Sequence, residues 1–166
     1  MDLNFNIVGT PEALKGCGKE IQCLFENTLE VEGFISLIGR FGSFPNISKR
    51  PKDQSRSLIE IVSKGRDVKV LESELGIFFT SVSKPAGHSI PFMLRFSPVA
   101  KYLGGVRKEQ SFFTKKSGSG EFYAALWPWQ STPENVTVHF GYFSKTMPDE
   151  DYQKLRNFIG NLDFLH

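Results

Sequence analysis

The chain has 166 residues, a formal net charge of +2, and 40% apolar against 23% charged residues. That length suits a single domain over 1–166, and the balance excludes disorder, collagen-like repeats and a coiled coil. Two cysteines cannot staple a chain of this size, so an apolar core must hold it.

Phenylalanine supplies 16 residues, and each ring buries a large area without needing a hydrogen-bond partner. The charge is unevenly spread. Residues 49–116 carry 14 Lys/Arg against 6 Asp/Glu, whereas residues 1–48 and 117–166 each carry 3 against 6. A basic middle between acidic ends fits either an anionic partner or acidic terminal helices lying beside basic strands. The longest apolar run, residues 122–127, has six residues, against the roughly 20 of a membrane span. The start, Met1 to Asn6, lacks the basic residues and apolar block of a signal peptide. The expectation is a cytoplasmic chain without a membrane partner, its Cys17 and Cys23 reduced.

Leu3, Phe5 and Ile7 alternate with Asn4 and Asn6, which predicts a strand over 3–8. Thr10 as N-cap, Pro11 at the first helical position and Glu12 in the first turn then open a helix. Leu14, Cys17, Ile21, Leu24 and Phe25 form its apolar face; Gly16 and Gly18 weaken its start and leave it firm from Lys19. Residues 33–41 (GFISLIGRF) are β-branched and aromatic enough for a strand. Residues 42–57, with two prolines and many polar groups, read as a long exposed loop. The segments 57–63 and 67–71 flank Lys64-Gly65-Arg66 as a hairpin, with a short helix as the alternative for the first arm. Residues 75–82 and 91–96 are strand candidates separated by a turn at Pro85 and Gly87. Pro98 opens one helical turn that Gly104 ends. Residues 106–114 and 121–127 bracket a flexible hairpin tip at 115–120. Val136, Val138, Phe140 and Tyr142 share one face of a strand, with Thr137, His139 and Gly141 on the other. Pro148, then Asp149, Glu150 and Asp151, start a last helix with the stripe Tyr152, Leu155, Phe158, Ile159 and Leu162. The order implies an α+β fold: a mainly antiparallel β-sheet of about six to seven strands with an N-terminal and a C-terminal helix packed on it.

Local signatures of chemistry are weak. A phosphate loop would place glycine at Ala13 and a hydroxyl at Glu20, and neither is present. His88, His139 and His166 lack ligand spacing, and Cys17 and Cys23, six apart, do not share a helix direction, so no metal is expected. On the polar side of its strand, His139 reads as an exposed histidine; as a base it would need His88 or Glu121 nearby. No cofactor and no catalytic residue is assigned.

Two features point to binding. Trp127-Pro128-Trp129 stops a strand, fixes the backbone and turns one indole away from the core. Arg107, Lys108, Lys115 and Lys116 surround Phe112 and Phe113 near the hairpin tip. The sequence therefore predicts a non-catalytic protein-binding module of inhibitor, immunity or chaperone type. Its contact surface would join Trp127, Trp129, Arg107, Lys108, Phe113, Lys115 and Lys116 against the acidic surface of another protein. A nucleic-acid partner held by basic loops and interleaved rings is the alternative, and a small enzyme with a distributed site the second.

Overall fold

The computed structural model describes residues 20–51, 56–80 and 83–162. The strand expected over 3–8 and the helix start at Thr10 to Lys19 lie outside these residues; of the part of that helix that is described, 20–22 are helical, but Cys23 and Leu24 form a turn and Phe25 is not helical. Helix α1, Thr28–Gly42, starts where the Asn27 side chain accepts from the Glu30 amide at 3.2 Å. It buries Val31, Phe34, Ile35, Ile38 and Phe41. Those spacings have the period of a helix, which overturns the strand expected over 33–41. The cap at Asn27 and the first buried position at Val31 both lie ahead of that window. Gly33 lets a second helix approach, because a Cβ there would sit 3.2 Å from the Phe78 ring.

Strand β1, Ile47–Pro51, pairs antiparallel with β2, Ser57–Ser63, so part of the expected loop at 42–57 is an edge strand. Pro51 is tolerated there because an edge strand leaves amides unpaired. Residues 64–66 form a turn with Gly65 at φ +71, but the turn leads into a helix, not a second hairpin arm. Helix α2, Val68–Phe79, replaces the strands expected over 67–71 and 75–82. Asp67 caps it, accepting from the Lys69 amide at 2.7 Å, and Leu71, Leu75, Phe78 and Phe79 fill its buried face. Phe92–Phe96 is a 3-10 helix, not a strand. Helix α3, Pro98–Tyr102, has Ser97 as N-cap and Pro98 at its first position, as the sequence suggests.

Strands β3 (Ser111–Ser117), β4 (Gly120–Pro128) and β5 (Val136–Ser144) form a meander, and helix α4 (Asp149–Gly160) follows. The sheet has five strands in the order β1-β2-β5-β4-β3, all antiparallel. An α+β fold with an antiparallel sheet is what the sequence implies; five strands are found among the described residues where six to seven are expected.

Alternation along the strands splits the sheet into two unlike faces. Ile59, Ile61, Phe113, Phe122, Leu126, Val138 and Phe140 join Phe34, Leu75 and Ile159 from the helices in the main core. Phe34 packs on Phe122 at 4.6 Å between ring centres and edge-on to Phe140 at 6.0 Å. The α4 ring of Tyr152 locks onto β5: its hydroxyl donates to Tyr142 O at 2.7 Å and accepts from Ser144 N at 2.8 Å. The opposite face carries a smaller cluster of Val99, Phe112, Tyr123 and Ala125.

Candidate interaction surface

The second face is covered beside β3 and β4 by the crossover that runs from α2 to β3, residues 83–110. Leu94, Tyr102, Leu103 and Val106 from this segment pack on Phe112, Tyr123 and Ala125. Gly141 makes room, since a Cβ there would overlap the Tyr123 ring. That phenol reaches past it and donates to Arg56 O at 2.9 Å. Burial raises the pKa of Tyr123, so the hydroxyl stays a donor.

Further along this face, towards β2, sits a polar pair that the sequence reading missed. His139 is not exposed: only 7% of its surface is accessible, as for Glu60, its register partner on β2. His139 Nδ1 lies 3.0 Å from Glu60 Oε1, and the Trp127 ring centre lies 3.6 Å from that of the imidazole. The alternation that puts His139 opposite Val138 and Phe140 was legible, but the cross-strand register that supplies Glu60 was not. Neither expected partner is involved. Glu121 lies four residues along β4 from Ala125, the register partner of His139, which is about 13 Å; His88 is exposed in the crossover. The pair is a histidine held by a carboxylate, the setting of a general base. Among the described residues no thiol completes it: Cys23 is exposed ahead of α1, with its Sγ donating to Glu20 O at 3.0 Å. The Thr137 hydroxyl, two residues before His139, already accepts from Trp129 Nε1 at 3.0 Å. Among the described residues no group of three or more His, Cys, Asp or Glu is placed to hold a metal ion, and no helix is long and apolar enough to cross a membrane.

The structure separates some of the residues expected to form one surface. Trp127 and Trp129 are both half-buried at the end of β4, and the Trp127 indole nitrogen is buried without a hydrogen-bond partner. Lys116 pairs with Glu121 at the opposite end of the strand, six residues or about 20 Å away. Phe113 is sealed in the main core and Lys115 turns to that same side, where its Nζ donates to Phe78 O at 3.2 Å and lies over the Phe78 ring. Arg107 and Lys108 are exposed on the crossover. The Trp127–Trp129 corner and the Lys115–Lys116 end therefore lie at opposite ends of the β3–β4 hairpin.

What the crossover exposes instead is apolar. Phe92, Met93 and Phe96 are 69%, 80% and 60% exposed, all on one 3-10 helix, with the two rings edge to face at 5.3 Å. Leu29, Val70 and Ile77 are also exposed, but they stand singly on α1 and α2, which is ordinary for a globular surface. Residues 83–110 hold five Lys/Arg (Lys84, Arg95, Lys101, Arg107, Lys108) against one acidic residue, Glu109. At the start of α3, Pro98 borders a cleft of about 290 Å³ with Lys116, Ser119, Glu121, Phe143 and Lys145. The cleft mixes both signs of charge, so it selects no ligand, but it does set Lys116 and Lys145 next to the crossover. The strand expected over 91–96 falls on the 3-10 helix itself, because its apolar run has no clear period, and that expectation hid the exposure of its side chains. Comparison with protein-family models, curated proteins and solved structures finds no match for the chain.

Proposed function

We propose that this chain is a non-catalytic protein-binding module whose contact surface is the crossover of residues 83–110. One observation carries the reading: three large apolar side chains stand in solvent on a single turn, inside a crossover that exposes four cations against one acidic residue. Exposing Phe92, Met93 and Phe96 forgoes roughly 1.5–3 kcal/mol each relative to burial, a cost a covering partner removes. Arg95, Lys101, Arg107 and Lys108 steer an acidic partner towards them and reject basic ones. The partner is thus a protein with an acidic rim around an apolar patch. An inhibitor, immunity or chaperone role needs nothing more than such a complementary surface.

Two double variants test this, Phe92→Ser with Phe96→Ser and Arg95→Glu with Lys101→Glu, each first checked for unchanged circular dichroism and melting temperature. Each is used beside the wild type to capture partners from nuclease-treated extract of the native cell. A protein held by the wild type and lost about tenfold or more from both variants supports the reading. Equal capture by all three ends it. If nuclease treatment removes the wild-type interaction, and the pure chain shifts nucleic acid at low salt, a nucleic-acid partner replaces the protein.

A further inference from the structure

We infer that Lys84 is the positioning residue of this docking surface: its buried ammonium holds the crossover in the shape that a folded acidic partner meets. The inference rests on the proposed binding function and adds what preforms its surface.

Lys84 has no exposed surface. Its backbone extends the sheet beside β3, with Lys84 N donating to Phe112 O at 3.0 Å and Phe112 N to Lys84 O at 2.9 Å. The side chain then reaches the far arm of the crossover. Nζ donates to the carbonyls of Arg107 at 2.6 Å, Lys108 at 2.7 Å and Gln110. An ammonium has three protons, and all three are used. Two of those carbonyls belong to the exposed cations Arg107 and Lys108, so the buried lysine fixes the backbone from which they project.

A second set of contacts ties the same two arms. Gly87 N donates to Lys108 O at 2.7 Å. On α2, Glu72 Oε1 accepts from Ala86 N at 3.2 Å and from the Ser111 hydroxyl. Arg107 N donates to Gln110 Oε1 at 2.8 Å, and Gln110 N to Arg107 O at 3.1 Å. Gly104 and Gly105, both at positive φ, turn the chain from α3 into this arm. Beyond the packing of Leu103 and Val106, polar contacts therefore hold the cationic arm in place.

The arrangement costs solvation. Burial lowers the pKa of Lys84 from the usual lysine value, while Glu109 and Glu72 favour the charged form. A methionine would avoid that cost but strip three carbonyls of their donor, so the role of the ammonium lies in what it holds. It orders three carbonyls, and its charge lies beneath those of Arg107 and Lys108 and adds to the field an acidic partner feels. A surface held this way loses little freedom on binding, which suits a partner with its own preformed groove.

The test uses the full chain with Lys84→Met and Lys84→Arg. Amide hydrogen exchange reports the clamp, and association with poly-L-glutamate at low and moderate salt reports the acidic recognition. In Lys84→Met the Gly87 and Gln110 amides should exchange about 100-fold faster, with Val138 and Phe140 in β5 unchanged. Arginine, which keeps the charge and the donors, should recover most of the local protection and most of the poly-L-glutamate affinity. Unchanged exchange at Gly87 and Gln110 overturns the clamp. Equal acceleration throughout β5 overturns it too, because Lys84 is then needed for the whole fold. Local loosening with undiminished poly-L-glutamate binding by Lys84→Met removes its role in recognition. If the wild type itself ignores poly-L-glutamate at low salt while exchange shows the clamp, the acidic-partner reading falls, and the positioning role falls with it.

Discussion

The two faces of the sheet are held in different ways. On one, three helices bury rings against rings, and Phe34, Phe122 and Phe140 have at most 1% of their surface exposed. On the other, a 3-10 helix and a five-residue helix cover three fully buried residues of the sheet, and the rest is fixed by Lys84, by Glu72 and by the Glu60–His139 pair. Apolar packing is non-directional and supplies bulk stability. Hydrogen bonds from buried polar groups supply geometry, and they fail sharply when one partner is removed. The first face keeps the chain folded, which frees the second to leave phenylalanines outside.

Truncating the same residue type on each face gives the largest contrast. Phe140→Ala should destabilise the chain by about 3–5 kcal/mol, the usual result of emptying a packed aromatic site. Phe92→Ser should change it by less than about 1 kcal/mol, since the ring packs on another exposed ring, Phe96, and not on the core. Denaturant unfolding of both variants checks this. Comparable losses would mean that the 3-10 helix is part of the core, and the proposed docking surface would lose its main support.

Much of this division was legible beforehand, and the failures share a cause. The β5 alternation, the α4 start at Pro148 and the Pro98 turn were legible because each is written in neighbouring residues. Helices α1 and α2 were misread because the window over 33–41 omitted Asn27 and Val31, while Leu75 to Phe79 was cut away from Asp67 and Leu71. Helical spacing emerges only when the cap and the whole stripe are taken together. Neither Glu60 with His139 nor Lys84 with Arg107 could be found this way. The first depends on β2 lying beside β5, the second on a crossover folding back over 23 residues, and no local pattern encodes either.

Alkaline pH sharpens the comparison from the side of the main core. Burial raises the pKa of Tyr152 to about 12 and also raises that of Tyr142. The unfolded chain loses those protons near pH 10, the folded chain only later. The folded state then holds more protons, so stability is fully present below about pH 10 and falls as pH rises from there through about 12. Thermal melts across that window should show the decline, with the phenolate absorbance of the buried tyrosines appearing together with unfolding. Early, reversible titration of all four tyrosines without loss of structure would show that the α4–β5 contact is open to water.

A loss smaller than that of Phe140→Ala probes the polar face most directly. Glu60→Ala leaves His139 Nδ1 nearly buried without its carboxylate, at a cost of about 1–3 kcal/mol. Glu60→Gln keeps an acceptor of similar shape, so it should lose less. The two variants separate hydrogen bonding from charge: if Gln costs as much as Ala, the negative charge itself holds the pair, and if Gln is harmless, the acceptor is enough. Because the Trp127 ring lies against His139, its fluorescence gives a local readout. It should change in Glu60→Ala while unfolding of the main core, followed through the far-ultraviolet signal, remains a single transition. Such a result would show the second face rearranging on its own over an intact first face, which is the independence a rigid but locally adjustable binding surface requires.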